Sequence, residues 1–224
     1  MFERLEKIVT KEEFDKIKNL NTLLIGIGGV GGYTLEALVR MGVENITIVD
    51  YDFIDITNLN RQIITTNENI GNSKVLEAKK RAQSINPNIN ITTIDENINK
   101  DNYLSLFQTH YDFVIDACDT ITTKLLLIEY CIQNNVKIIS CMGTGNRFDP
   151  TKLEITNIWK TSNDPLAKII RKELRVRKIN QKIPVVASRE LPRKINDRTP
   201  GSSALVPSVA GTYLASYVIN ETIK

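Results

Sequence analysis

The sequence predicts an α/β fold: a mainly parallel sheet with helices on both faces, extended by antiparallel structure and a C-terminal helix. Three observations carry this. The run Leu23-Leu24-Ile25 leads into Gly26, Gly28, Gly29 and Gly31, and a helical pattern follows. A second apolar run, Ile46-Thr47-Ile48-Val49, ends in Asp50, nineteen positions after Gly31. Beyond it, short apolar runs keep alternating with helical segments, the pattern of successive βαβ units. Strand, glycine turn, helix and acid-ended strand open a dinucleotide-type, Rossmann-like fold. Gly26 then serves the tight turn, Gly28 the close approach of phosphate, and Gly31 the packing of helix on strand. The helix N-terminus offers N–H groups to phosphate, and Asp50 is placed to bind ribose hydroxyls.

The elements follow in order. Thr10 and Glu13 form a capping-box pattern for a helix over 11–19. A strand is expected over 22–27, a helix over 30–41 ended by Gly42, and a strand over 46–50. Residues 52–66 read as an irregular polar connection rich in Asn and Asp. A helix over 71–85 stops near Pro87, and 89–95 alternates as a strand. A short helix over 101–109, a buried strand over 111–116, a helix over 120–134 and a strand over 136–141 complete the parallel pattern. After Gly143 the character changes. Residues 153–159 suggest a strand of antiparallel kind, and Asp164-Pro165 opens a basic helix to about Arg177. Residues 178–203 read mostly as loop, and a last apolar helix spans 206–222 with Pro207 in its first turn. The organisation expected is one domain over 1–224, with a nucleotide-binding core over 1–145 and a substrate-facing extension over 146–224.

Composition fits a globular protein with a sizeable core: 224 residues, 42% hydrophobic and 25% charged. Three cysteines without paired spacing, behind a start that lacks a signal core, suggest reduced thiols and a cytoplasmic protein. The apolar run over 204–219 contains Pro207, Gly211 and several hydroxyl residues, so no membrane span is expected. The net charge of +3 conceals an asymmetry. Eleven Lys and Arg against three acids between Lys168 and Arg198 give that segment +8 and leave −5 on the rest. A basic segment on an acidic body suits a polyanion, although a solvated helix face explains it equally well.

The glycine turn by itself fits a nicotinamide dehydrogenase, a flavoprotein, a nucleotide sensor or an adenylating enzyme. The polar residues behind it separate these. Asp50 and Asp52 lead into Asn58, Arg61 and Gln62, then Lys74, and Asp119 follows the buried strand. Hydride transfer needs no such cluster near the adenine half of its cofactor, whereas work on a triphosphate does. Arg61 and Lys74 can neutralise charge developing at phosphorus. Asp119, at the carboxyl end of a strand, can hold magnesium through an oxygen. Each has a plainer alternative: Asn58 as a turn cap, Arg61 in a surface ion pair, Lys74 solvated at a helix start, Asp119 as cap of the next helix.

In this set Gly26-x-Gly28-Gly29-x-Gly31, Asp50-x-Asp52, Asn58-x-x-Arg61-Gln62, Lys74 and Asp119 resemble the ubiquitin-activating-enzyme-like (ThiF/MoeB-type) adenylating superfamily, over roughly 5–145. The resemblance implies that the glycines, Asp50, Asp52 and Gln62 help bind ATP. It also implies that Asn58, Arg61 and Lys74 contact phosphates and that Asp119 holds Mg2+. Arg61, Lys74 and Asp119 are then the catalytic candidates. The later segments Gly143–Thr151, Asp164-Pro165-Leu166-Ala167 and Ser202–Gly211 resemble the tRNA threonylcarbamoyladenosine dehydratases, which extends the match to nearly the whole chain. Implied are ATP-dependent activation of a carboxylate beside the tRNA anticodon, ring closure by a neighbouring ureido group, and loss of one water. A homodimer is implied too, with Arg4 or Lys7 as candidate donors of an arginine-like contact to the partner, and a sulfur-transfer protein is a further candidate partner. No DNA is expected.

The alternative is an activator of a small sulfur-carrier protein. Such activators usually carry two Cys-x-x-Cys pairs for zinc, and this sequence has none, so no structural zinc is expected. Acyl transfer to a protein thiol would need a later cysteine, and none follows Cys141. Cys118, Cys131 and Cys141 lie in apolar strands or helices and read as core residues. His110 and Trp159 read as structural. In the basic segment Lys168, Arg171, Lys172, Arg175, Arg177 and Lys178 are the candidate tRNA contacts. No aromatic residue accompanies them, so base stacking must come from elsewhere.

Overall fold

The computed structural model describes residues 1–197 and 199–224; Arg198, the last of the eleven basic residues counted above, lies outside the described residues. Helix α1 (Lys11–Asn19) starts at the expected cap, where the Thr10 side chain accepts the Glu13 amide and the Glu13 carboxylate accepts the Thr10 amide. Strand β1 (Asn21–Ile25), helix α2 (Gly31–Arg40) and strand β2 (Asn45–Val49) follow. Helix α3 (Lys74–Ile85) leads to β3 (Asn90–Ile94), then come β4 (Phe113–Asp116), α4 (Ile121–Gln133) and β5 (Lys137–Cys141). Strand β6 (Leu153–Asn157), helix α5 (Pro165–Val176), strand β7 (Pro184–Ser188) and helix α6 (Leu205–Ile223) complete the chain.

The seven strands form one sheet in the order β3-β2-β1-β4-β5-β7-β6. All neighbours are parallel except β6, which runs antiparallel to β7 with Ile155 opposite Val186. Successive side chains of a strand point to opposite faces, so the sheet feeds two cores. Leu24, Ile48, Ile115, Ile139 and Val186 join the buried residues of α1, α2, α3 and α6. Leu23, Ile25, Val114, Ile138 and Val185 join those of α4 and α5.

Two expectations differ from the structure. Residues 101–109 form tight 3-10 turns over Tyr103–Gln108 rather than an α-helix, with a non-helical residue at Phe107. The segment expected as loop over 178–203 contains β7, which sits inside the sheet between β5 and β6. Pro184 is its first residue, the strand position at which a missing N–H is tolerated. The extension over 146–224 therefore completes the same sheet as the core. Among the described residues no helix is long and apolar enough to cross a membrane.

The sheet order places the crevice. From β1 the chain moves outward to β2 and β3, then returns to β4 on the other side of β1. This is a topological switch point, and ligands of open α/β sheets bind outside the carboxyl ends of strands there. Gly26 follows β1 and Asp119 follows β4, so both lie at that point.

Candidate nucleotide crevice

The glycine turn is fixed by sterics. Gly26 has φ +88, and a Cβ there would lie 2.8 Å from the Cys118 amide nitrogen and 2.9 Å from Ala117. A Cβ on Gly31 would lie 1.7 Å from the Gly26 carbonyl oxygen. The turn thus brings α2 onto β1 at a distance only glycine allows. Gly28 is different: the Gln62 side chain, 3.9 Å from its Cβ position, is its nearest neighbour, leaving room for a ligand. Helix α2 begins behind Val30, whose side chain cannot cap it; the Gly32 amide donates to the Gly28 carbonyl, and the rest of the first turn can face an anion.

Asp50 braces this turn. One carboxylate oxygen accepts the Ile27 amide at 2.6 Å and the other the Asp52 amide at 2.9 Å. Burial pushes its pKa up, opposed by the Ile27 amide, the Lys74 charge and the Asp52 amide, and the net shift is upward. Ribose binding, the role expected of Asp50, would use its remaining lone pairs.

Lys74 arrives through local zippering of two distant segments. The Ile54 amide donates to the Asn72 carbonyl, the Gly71 amide donates to the Ile54 carbonyl, and Phe53 bridges Ser73. The Lys74 amide then donates to the Asp52 carbonyl, and Lys74 Nζ lies 2.6 Å from Asp52 Oδ2. The lysine side chain is 6% exposed and its partner 49% exposed, so the cation is held at the crevice wall rather than solvated.

The residues between them divide in role. The Asn58 side chain accepts the Asp55 amide at 3.1 Å and so caps a 3-10 turn, the plainer of its two readings. Arg61 is not in a surface ion pair. Its Nη1 donates to the Thr57 carbonyl and to Asn60 Oδ1, and its Cγ is 3.3 Å from the Gly29 Cβ position. Gln62 is buried, and its Oε1 has no hydrogen-bond partner. Such an orphaned acceptor beside Gly28 fits a crevice completed by a polar ligand.

Asp119 is exposed at the mouth, and Thr120 rather than Asp119 is the N-cap of α4. The Tyr51 hydroxyl is raised first by Asp52, then by burial, and then by Asp119 and Asp50, which puts Asp119 in the same electrostatic neighbourhood as the two crevice acids. Among the described residues no three His, Cys, Asp or Glu side chains are grouped to hold a metal on protein ligands alone.

A buried network beneath the crevice was not legible beforehand. Lys124 Nζ donates to Asp116 Oδ2 at 2.9 Å, Ser140 Oγ at 3.3 Å and the Cys141 carbonyl at 2.7 Å. Ser140 and both the amide and thiol of Cys118 also donate to Asp116. Burial pushes Lys124 down in pKa, but Asp116 outweighs it and the net shift is upward. The network fixes the end of β4, from which Ala117 and Cys118 press on Gly26. The signal was two charges, Asp116 and Lys124, in otherwise apolar elements. A second buried pair, Arg147 with Asp164 at 3.3 Å, anchors the chain after β5 to the start of α5. Burial raises the Cys131 and Cys141 thiols to about 12 and raises Cys118 as well, as expected of core cysteines.

The basic segment is not one surface. Arg171 turns inward to Thr161, Arg177 pairs with Glu129, and Arg175 lies 5.6 Å over the Trp159 ring. Lys168, Lys172 and Lys178 are exposed. Helix α5 starts beside Gly143, where Asp164 accepts the Gly143 amide, and leads back to the start of β7. Lys168 is therefore near the crevice end of the sheet, and Arg175, Arg177 and Lys178 are near the opposite end. Arg4 and Lys7 are exposed.

A Bacillus subtilis (strain 168) protein named tRNA threonylcarbamoyladenosine dehydratase is 37% identical over 240 residues, covering 100% of this chain and 94% of the relative. A Haemophilus influenzae protein of the same name is 36% identical over 174 residues, 78% of this chain and 67% of the relative. The crystal structure of the E. coli tRNA N6-threonylcarbamoyladenosine dehydratase in complex with ATP is 29% identical. It superposes with a TM-score of 0.94 over 99% of this chain and 93% of that one. Residues 3–220 match the ThiF family, and the chain belongs to it.

Proposed function

We propose that the chain is an ATP-dependent adenylating enzyme that dehydrates threonylcarbamoyladenosine in tRNA. The observation that carries this reading is the end-to-end likeness to the Bacillus protein of that name. The crevice, with its open Gly28, its orphaned Gln62 acceptor and its two positioned cations, agrees with it. The E. coli protein has been crystallised with ATP and with AMP, the substrate and a product of such chemistry.

A carboxylate oxygen of the threonylcarbamoyl group attacks the α-phosphorus of ATP, and pyrophosphate leaves. The ureido group of the same substituent then attacks the activated carbonyl carbon. The ring closes, and AMP departs with the former carboxylate oxygen, so the RNA loses one water overall. Holding nucleophile and acyl group in one substituent makes the second step effectively unimolecular. Arg61 and Lys74 neutralise charge at the phosphates, the α2 amides bind phosphate oxygens, and Asp50 keeps the turn in shape while accepting from ribose. Asp119 fits magnesium: a single exposed carboxylate joined by substrate phosphates is how this ion is commonly held. Bound there, it supplies positive charge to the triphosphate.

The reading takes residues 1–224 as one adenylating unit, cytoplasmic and homodimeric, with tRNA as substrate. The test incubates purified protein with ATP, magnesium and tRNA carrying threonylcarbamoyladenosine, and looks by mass spectrometry for a nucleoside lighter by one water. Its ATP-dependent appearance is expected. Lys74→Ala and Arg61→Ala should each lower kcat by roughly 10²–10³-fold, as loss of a transition-state charge partner does. ATP binding without any change in the nucleoside would redirect the search to a carrier-protein acceptor, and full activity in both variants would remove the site assignment.

A further inference from the structure

Three aromatic residues are exposed among the described residues: Tyr51, Phe53 and Phe148. Tyr51 lies in the field of Asp50, Asp52 and Asp119, which repels a polyanion. Phe53 is two residues from Tyr51, on the segment that carries Asp52. Phe148 differs. Its side chain is open, with 53% of the residue exposed, and the Arg193 guanidinium carbon lies 5.0 Å from its ring centroid. Resting on the reading above, we propose that Phe148, with Arg193 over one face of its ring, offers the other face as a stacking platform for an unpaired base of the RNA substrate.

The platform is held rigidly. Glu190 accepts the amides of Phe148 and Asp149, and Asn146 donates to and accepts from Gly201 while its carbonyl accepts the Arg193 amide. Ser203 donates to the Arg147 carbonyl. Residues 146–149 are thus laced to Glu190, Arg193, Gly201 and Ser203, which sets the guanidinium over one face of the ring. The two nearby acids are occupied: Glu190 by those amides, and Asp149 by the Thr151 amide and hydroxyl. Arg193 and Lys194 remain exposed, so the field at the ring favours phosphate.

The platform also adjoins the crevice. The Ser202 carbonyl accepts Asn60 Nδ2 at 3.0 Å, and Asn60 Oδ1 in turn accepts Arg61 Nη1. Pro207 touches the Gly29 position from the start of α6. A continuous set of contacts therefore runs from the glycine turn, through Arg61, Asn60 and Ser202, to the turn that carries Phe148. An RNA loop delivering a modified base to the crevice would pass its neighbouring bases over this ring. Aromatic faces receive any unpaired base, and arginine stacks or pairs with phosphate beside it.

The test measures affinity of the full chain for tRNA carrying threonylcarbamoyladenosine, over a range of salt concentrations, with turnover measured alongside. Phe148→Ala should weaken binding roughly ten-fold, the size expected for loss of one stacked base. The slope of affinity against salt should not change, because no phosphate contact is removed. Phe148→Trp should restore affinity, and ATP affinity should be unaltered throughout. Unchanged tRNA affinity in Phe148→Ala overturns the proposal and leaves the ring as a contact for another class of partner. So does a loss that Phe148→Trp fails to restore, or one accompanied by weakened ATP binding. A wild-type chain that binds tRNA through Phe148 yet forms no dehydrated nucleoside would uphold the platform and overturn the proposed reaction instead.

Discussion

Replacing Lys124 by Met tests how the crevice is supported. Lys124 and Asp116 are both fully buried, and the lysine makes three hydrogen bonds, to Asp116, Ser140 and Cys141. Met fills similar volume but leaves the Asp116 carboxylate without its cation. Breaking one side of a buried pair costs about 3–5 kcal/mol. Ser140 and the Cys118 amide and thiol still donate to Asp116, which places the cost near the lower end, about 3 kcal/mol. For a chain of this size that lowers Tm by about 6–12 °C. Urea unfolding and thermal melting would read it. The pH signature has a definite sign. In the wild type the raised lysine contributes stability that is complete below the ordinary lysine value and is lost as pH rises through its folded value. The double variant Asp116→Asn with Lys124→Met should recover much of the loss. A single variant within about 1 kcal/mol of wild type, with no pH dependence in the difference, would refute the claim that this pair supports the end of β4.

Other predictions concern separate parts. Gly31→Ala places a methyl 1.7 Å from the Gly26 carbonyl oxygen and should abolish ATP binding by calorimetry. Gly71→Ala meets nothing within 4 Å and should cost only the strain of φ +86, about 1–2 kcal/mol. Native protein treated with iodoacetamide at pH 8 should label slowly at all three cysteines, since burial raises every thiol, and should label fully once unfolded. Glu36 joins α2 to α3 through Arg81; burial pushes its pKa up, but Arg81 and Arg40 outweigh that and the net shift is downward. Its contribution is present above the ordinary glutamate value and is lost as pH falls through the lower folded value. Glu36→Gln should therefore flatten the acid limb of a stability–pH curve.

The parallel half of the fold was legible because its strands are short apolar runs, most of them separated by helices with their own start and stop signals. Thr10 with Glu13, and Asp164 before Pro165, mark helix starts that the structure places at those residues. Strand β7 escaped because Pro184 opens it and charged residues surround it, so composition reads as loop. Its neighbours on both sides, β5 and β6, make it a strand, and that pairing is a long-range fact. The 3-10 turns over Tyr103–Gln108 escaped for a related reason: their apolar residues pack against Tyr130 of α4, with Phe107 stacked 3.6 Å away, and propensity does not register that contact.

For the crevice, the sequence supplies the charged residues and the fold supplies their partners. Arg61 and Lys74 are visible as cations behind a glycine turn, but whether a lysine at a helix start is solvated or held depends on where residues 52–54 lie. The pairing of that segment with 71–74 sets Lys74 against Asp52, and nothing in either stretch alone specifies it. Asn58 shows the converse, a residue whose local chemistry, capping its own turn, accounts for its conformation before any ligand is considered. Asp50 joins both cases: its hydrogen bond to Ile27 fixes the glycine turn. A substitution there would deform the phosphate site and remove the ribose acceptor together, so loss of ATP binding in Asp50→Ala could not by itself assign the ribose contact. Asp50→Asn separates the two. The amide oxygen can keep the Ile27 bond while the amide nitrogen can accept neither from the Asp52 amide nor from ribose, so an Ile27 turn that stays intact with weakened discrimination between ribose and 2′-deoxyribose would assign the contact to Asp50.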